Sequence, residues 1–326
     1  MIERCFYLKS PSINPYYNMA LEEYLFEHIP ANSMIFFLWQ NQNTVSIGRN
    51  QSAYKECHLQ QMEIDHCYLA RRKSGGGAVY EDMGNLNFSY IMYMDNFDIQ
   101  KQAKTIVEAL SSLGIQGYVN GRNDIEVNGF KVSGNAYLTE KEQCLHHGTL
   151  MLEVDMEKMA AYLNVSDKKI QAKGFDSIGA RCQNLQEFKP SLTMKQLEKA
   201  LLQAVANNYG PMYELPLPVN FSEGIERFRN YDYLYNTIDS YTVIVHDYFS
   251  FGELQMYVDL QNNFIKNVDI YTDAIDTQMA QTVKELFAGL YIDDVTFKNR
   301  LLTKIDTRLQ NDMARIYFEI KRYTFK

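Results

Sequence analysis

Residues 123–138, NDIEVNGFKVSGNAYL, decide how the rest of the chain is read. Asn128-Gly129 lies between two alternating runs, the strongest short-range signal for a two-residue β-hairpin. Such a turn sets a register with Val127 opposite Phe130, Glu126 opposite Lys131, Ile125 opposite Val132 and Asp124 opposite Ser133. Ile125, Val127, Phe130 and Val132 then form an apolar side, while Asp124, Glu126, Lys131 and Ser133 share the other. A surface Glu126 to Lys131 pair, worth less than about 1 kcal/mol, fits this register. A functional lysine fits it too, because Ser133-Gly134-Asn135-Ala136 is small enough for a ligand to approach the backbone beside it.

Outward from the hairpin the chain reads as strands with interspersed helices. MIFFLW (34–39), TVSIG (44–48) and CYLARR (67–72) read as strands, and Leu86, Phe88, Tyr90 and Met92 form a period-two face. Asn14 and Pro15 precede a helix over 16–29 with Ala20, Leu21, Tyr24, Leu25 and Ile29 on one side. A second helix over 98–113 turns Ile99, Ala103, Ile106, Val107 and Leu110 inward and stops at Gly114. A third has a capping-box pair in Thr193 and Gln196, a Leu197/Leu201/Val205 stripe and a terminal Gly210. After a polar, aromatic connection, YTVIVHDYF and ELQMYVDL restart with strands, so the expected division is 1–240 and 241–326.

The 326 residues, 46% hydrophobic and 13% aromatic, suit a globular chain with two cores. Forty acidic against 32 basic residues leave a formal net charge of −8, which argues against a sequence-independent grip on nucleic acid. The local cluster of Arg71, Arg72 and Lys73 can still hold a phosphate. Five scattered cysteines, none in a CxxC arrangement, speak against a disulfide framework or zinc site and for a reducing compartment. MIERCFYLKSPSINPYY has no apolar signal core, and no later stretch approaches the ~18 apolar residues of a membrane span. The expected location is the cytoplasm, without membrane contact.

LARRKSGGGAVYEDMGNLNFS (69–89) sets three glycines after a strand, an entropically costly choice. In return, N–H groups without side chains can surround phosphate or carboxylate oxygens. Neither GxxxxGK[ST] nor GxGxxG opening a helix is present, so the loop is expected to join two strands of one sheet. A bulged turn would read the same way. A fixed Lys131 can stabilise the charge created when a carboxylate attacks the α-phosphate of ATP, and Asp124 can hold the accompanying Mg²⁺. His146 and His147 must point to opposite faces of a strand, so they do not share a metal, and one of them is a pocket candidate. AKGFDSIGARCQNL (172–185), with Lys173 and no clear period, reads as a loop over a site or an ordinary connection.

Together PYYNMALEEYLF, RRKSGGGAVYEDMGNLNFS, NGRNDIEVNGFKVSGNAY, HHGTLML and KGFDSIGARCQNL, in this order, closely resemble the lipoate-protein ligase A family. The resemblance extends to about residue 190. It implies an α/β fold of mixed sheets, a catalytic domain like that of biotin-protein ligases and class II aminoacyl-tRNA synthetases, and a small C-terminal α/β accessory domain. It assigns ATP to Arg72, Gly77, Ala78, Val79, Tyr80, Asn123, Asp124 and Lys131. It assigns the lipoyl group to Arg72, Ser74, Gly75, Gly76, Gly77, Lys131 and His147. Lys131 matches the catalytic lysine that bridges the activated carboxyl and the α-phosphate. The implied reaction turns lipoate and ATP into lipoyl-AMP and pyrophosphate, then transfers the acyl group to a lysine of a lipoyl domain. Acceptors would be 2-oxoacid dehydrogenase E2 subunits or the glycine-cleavage H protein; ATP, Mg²⁺ and lipoate enter as substrates, with no tightly bound prosthetic group.

The mixed anhydride has a physical rationale: carboxylate and ammonium do not condense at neutral pH, and a dry pocket protects the anhydride from water. The chain departs from the family pattern at Glu81, where members often carry His, which bears on contacts at the pocket mouth and on acyl preference. Two rival readings stand beside this one. A cysteine-dependent octanoyl- or lipoyl-transferase would use Cys182 without ATP. A non-catalytic lipoate or nucleotide sensor would keep the pocket and lose turnover. Biotin ligation fits less well, because RRKSGGGAVY replaces the GRGR-type loop expected there.

Overall fold

The computed structural model describes residues 2–120, 124–164, 181–235 and 243–322. Its strands in chain order are β1 (Arg4–Lys9), β2 (Ser33–Trp39), β3 (Thr44–Ile47), β4 (Tyr68–Arg71), β5 (Val79–Glu81), β6 (Asn85–Tyr93) and β7 (Gly117–Asn120). There follow β8 (Asp124–Val127), β9 (Phe130–Glu140), β10 (Gln143–Met151), β11 (Met212–Glu214), β12 (Val243–Phe249), β13 (Gly252–Gln261) and β14 (Phe264–Thr272). They form an eight-stranded sheet, β11-β1-β2-β6-β10-β9-β8-β7, and two three-stranded sheets, β4-β3-β5 and β12-β13-β14. In the large sheet β1 runs parallel to β2 and β11 and the other neighbours are antiparallel, which is the mixed α/β class expected.

The run MIFFLW lacks alternation because both faces of β2 are buried. Helices Ile99–Ser112 and Met194–Tyr209 supply Ile106, Leu110, Leu197 and Leu201 to the core of the large sheet. The N-terminal helix Pro15–Glu27 lies over the opposite side, its Glu22 reaching Ser89 and His147. Its start is as expected, with Asn14 accepting from the N–H groups of Tyr16 and Tyr17. Its amphipathic reading is corrected: Asn18, Glu22 and Glu23 are buried as well. The helix Ser222–Arg229 packs on it so closely that a Cβ on Gly224 would lie 3.1 Å from Ala20 Cβ. In the helix Ile99–Ser112, Asp98 caps the start and Gly114 follows the end at φ 80°, but Ile99 is exposed. The Thr193–Gln196 capping box closes both its hydrogen bonds.

The hairpin turn forms as read, with Asn128 at φ 52° and Gly129 at φ 87°. Its register holds for Val127–Phe130 and Glu126–Lys131, then shifts. A bulge after Lys131 sets Ile125 opposite Ser133 and Asp124 opposite Gly134, where alternation alone predicts Val132 and Ser133. Val132 and Ser133 are both fully buried, so residue polarity does not mark the slip. The glycine run joins β4 to β5, two strands of one sheet as expected, with β3 between them.

After β14 come helices Met279–Phe287, Asp294–Lys304 and Gln310–Lys321, which bury Val283, Phe287, Phe297, Ile316 and Ile320 against β12–β14 in a core of their own. This unit reaches back to the small sheet, where Thr272 N–H donates to Asn50 O (2.7 Å) and Gly76 N–H to Ala274 O (3.0 Å). No helix among the described residues is long and apolar enough to cross a membrane.

Arg71, expected in a phosphate-holding cluster, is instead a tie inside the fold. The residue is 2% exposed, and its guanidinium donates to the carbonyls of Gly48, Arg49, Gln51, Tyr233 and Leu234. Burial pushes its pKa down to about 10, so it stays charged at neutral pH. Replacing it with methionine leaves those carbonyls without their donor, and Arg71→Met is expected to lower unfolding stability by about 3 kcal/mol or more, read from urea denaturation.

Candidate active site

A cavity of about 290 Å³ opens between the large sheet, the small sheet and the C-terminal unit. At one end the bulged hairpin brings Asp124 opposite Gly134, and Lys131 lies over that glycine. Lys131 Nζ sits 2.8 Å from Asp124 Oδ1, and Arg181 pairs with the other oxygen, Oδ2. The space that Gly134 leaves is thus filled by Lys131 itself: a Cβ there would fall 2.8 Å from Nζ. Arg181 and Cys182 are fixed by backbone, since Lys131 N–H donates to Arg181 O (2.8 Å) and Gln183 N–H to Lys131 O (3.0 Å). Glu126 is not the lysine's ion-pair partner; its carboxylate accepts from Tyr118 OH.

The glycine run is organised by Arg72, 8% exposed, whose side chain turns back into the loop. Nη1 donates to Ser46 O (2.9 Å), Nη2 to Gly75 O (2.9 Å) and Gly77 O (2.7 Å). Burial lowers its pKa to about 10, against the pull of Glu81 and Glu22. The glycines answer a packing demand: a Cβ on Gly75 would meet Ala274 O at 2.1 Å, and one on Gly48 would meet Gly76 O at 2.2 Å. Gly76 adopts φ 90°, and its N–H, read as a donor to phosphate or carboxylate oxygens and assigned to the lipoyl group, is taken by Ala274 O.

Of the residues expected at the site, Arg72, Gly76, Gly77, Ala78, Val79, Tyr80, Asp124, Lys131 and His147 line one cavity. Ser74 and Gly75 stand behind its wall, Ser74 Oγ bonding to His147 Nε2 (2.6 Å). Asn123, and residues 172–180 with Lys173, lie outside the described residues. Lys73 leaves the site to pair with Glu23, Glu27 and Glu140. The paired histidines divide as alternation requires. His147 meets Glu22 through Nδ1 (3.0 Å), whereas His146 is buried between Gln102 and Asn135 and held neutral, its pKa pushed down to about 3 by burial and by His147.

A Mg²⁺-holding role for Asp124 does not fit its present partners, since each oxygen already faces a cation. Among the described residues no group of three or more His, Cys, Asp or Glu side chains could hold a metal ion.

Three lining residues carry no sequence signal of function: Glu22, inside a helix run; Trp39, at the end of an apolar strand; and Asn87, on a strand facing the cavity. Glu81, expected at the pocket mouth, is 3% exposed in the cavity wall and accepts from Asn41 Nδ2 (2.6 Å). Burial raises its pKa to about 7, opposed by the Asn41 hydrogen bond and the Arg72 charge. Its proton is held more tightly in the folded than in the unfolded chain, so stability falls as pH rises from the ordinary value of 4.5 to about 7, then levels. Glu81→Gln removes this dependence; thermal unfolding should show the variant gaining on the parent between pH 5 and 8, with little difference at pH 4.

Comparison with known proteins agrees with this geometry. The lipoyl protein ligase A/B catalytic domain matches residues 14–206, and the bacterial lipoate protein ligase C-terminus matches 239–317. Lipoate-protein ligase A of Blochmanniella floridana is 34% identical over 304 residues, 90% of each chain. That of Blochmanniella pennsylvanica is 36% identical over 296 residues, 87% of each. Among solved structures, P. falciparum LipL1 in complex with lipoate superposes with a TM-score of 0.82 at 25% identity, covering 97% of this chain and 99% of that one. A bipartite lipoate protein ligase of Thermoplasma acidophilum, solved in work on that ligase and its E2 lipoyl domain, shares the fold at 24% identity, with a TM-score of 0.62, 74% of this chain and 100% of that one. With the catalytic-domain model spanning most of its length and relatives above 30% identity along nearly nine-tenths of it, the chain belongs to the lipoyl protein ligase A/B family.

Proposed function

We propose that the protein is an ATP-dependent lipoate ligase that forms lipoyl-AMP and passes the lipoyl group to a lysine of a lipoyl domain. The observation that carries this reading is the convergence of Lys131 and Arg181 on a single carboxylate at one end of the cavity. Both cations stand at the end of the cavity where an incoming carboxylate and a phosphate would meet. In the first step a carboxylate oxygen attacks the α-phosphorus, the bond to the bridging oxygen breaks, and pyrophosphate leaves with the electron pair. Lys131, fixed over Gly134, stabilises the charge on the phosphoryl oxygens without forming a bond. In the second step the acceptor amine attacks the acyl carbon and AMP departs.

The rest of the cavity wall supports the same assignment. Gly77, Ala78, Val79 and Tyr80 with Arg72 are the nucleotide side, and Trp39, His147 and the glycine run with Ser74, Gly75 and Gly76 behind it are the acyl side. Asn123 and Asp124 stay assigned near the phosphates. Mg²⁺ is expected to arrive with the triphosphate, and no residue of the chain is assigned to it. Lipoyl domains of E2 subunits, or of the glycine-cleavage H protein, are the proposed acceptors; that an archaeal ligase of this fold works with its E2 lipoyl domain supports the class. Residues 1–240 act as the catalytic unit and 241–326 as an accessory unit, whose Phe251, Asp273 and Ile275 roof the cavity and so must shift for an acceptor lysine to enter.

Pyrophosphate release with lipoate and ATP tests the assignment. Lys131→Ala is expected to cost at least about 10²-fold in kcat, the scale of removing one preorganised charge-stabilising group, while Cys182→Ala keeps ATP-dependent turnover. ATP-independent transfer abolished by Cys182→Ala would replace the ligase with a thioester transferase.

A further inference from the structure

Glu81, the last residue of β5, takes no part in the ligase chemistry, yet it is buried with its carboxyl in the cavity wall. It stands beside His147 and the amide of Asn87, and Asn87 is opposite Trp39 in the large sheet, which puts it on the acyl side. A buried carboxylate is tolerated when a cation is turned on it. Glu81 has amides instead: Asn41 Nδ2 donates to it at 2.6 Å, and the Asn87 amide also favours its ionised form.

The charged and titratable side chains that share this part of the cavity are Arg72 from just after β4, His147 from β10, Glu22 from the helix Pro15–Glu27 and Asp273 from the C-terminal unit. Arg72 gives its donors to the carbonyls of Ser46, Gly75 and Gly77, and His147 turns one ring nitrogen to Glu22 and the other to Ser74. Neither forms an ion pair with Glu81, and Glu22 and Asp273, being acids, offer it no counter-charge. The ionised form of Glu81 therefore depends on water in the cavity, whereas the neutral acid does not. An acyl chain displaces that water, which raises the cost of the charge and leaves the protonated form on Asn41 nearly unaffected. The incoming carboxylate acts in the same direction, as a second negative charge in one cavity.

We propose that capture of the acid substrate is proton-linked through Glu81: the acyl chain seats against a neutral Glu81, and where that carboxyl is ionised it takes one proton from solvent as the chain binds. This rests on the ligase reading and deepens it, since the pH dependence of substrate capture is then set by the cavity wall and not by the reacting groups. Burial already holds the Glu81 proton up to about 7. Below that pH the acid binds without proton uptake; above it, each binding event must first neutralise Glu81, and apparent affinity falls as pH rises.

The test reads KM for lipoate in ATP-dependent pyrophosphate release from pH 7 to 9. In the unaltered protein it should rise by about tenfold or more over that range, as the fraction with neutral Glu81 shrinks. In Glu81→Gln, with circular dichroism reporting a folded chain, KM should stay flat while kcat keeps the pH profile of the parent. Calorimetric titration with lipoate alone at pH 8, in two buffers of different ionisation enthalpy, reads the same proton directly: uptake in the parent, none in Glu81→Gln. Pyrophosphate release with a KM that is flat in the unaltered protein overturns the inference alone, and needs no variant. So does an equal rise in parent and folded Glu81→Gln. Proton-linked lipoate binding without pyrophosphate release at any pH overturns the ligase reading and leaves the coupling standing; neither binding nor release overturns both.

Discussion

Asp124, 7% exposed and shared by Lys131 and Arg181, is the contact on which the arrangement of the site turns. A buried carboxylate with two half-buried cations is tolerable only in close pairing. That pairing ties β8, β9 and the segment around Arg181 to one point. It also sets two cations side by side in the cavity wall, which gives an anionic substrate a reason to bind there. The hairpin bulge serves this contact, since it is the shifted register that sets Asp124 across from the glycine over which the lysine lies.

The same economy of buried charge governs the glycine loop, with backbone in place of carboxylate. Arg71 and Arg72 are adjacent on the chain and both buried, and both give their donors to carbonyl oxygens. Arg71 knits the small sheet to the segment at Tyr233 and Leu234; Arg72 shapes the loop that walls the cavity. Glycine at 75 is then required by the C-terminal unit, whose Ala274 carbonyl sits where a side chain would stand. Loop and roof are consequently one packed assembly, and any opening of the roof frees the Gly76 N–H for a ligand.

Across the large sheet the two faces divide the labour. His146 with Gln102 and Asn135 belongs to the helix-covered side, a satisfied neutral histidine in a core. His147 with Glu22 and Ser74 belongs to the cavity side, and Ser89 and Asn87 lie next to it on β6. One residue of offset on a strand separates a packing role from a place in the cavity wall.

Much of this was legible in the chain by itself. Periodicity and capping residues located the three long helices and most strands, and Asn128-Gly129 specified its turn, because these are local demands that a few neighbouring residues satisfy. The motifs also brought Arg72, Gly76 to Tyr80, Asp124, Lys131 and His147 into one reading, and they line one cavity. What the letters did not carry were contacts between distant segments. The burial of Glu22 depends on the strand beneath it, the divergence of Arg71, Arg72 and Lys73 on three different sets of partners, and the place of Glu81 and Asn87 on two sheets meeting. Spacing along a chain determines which face a side chain presents; only tertiary packing decides what that face meets, because burial, charge pairing and side-chain hydrogen bonding are properties of neighbours far apart in sequence.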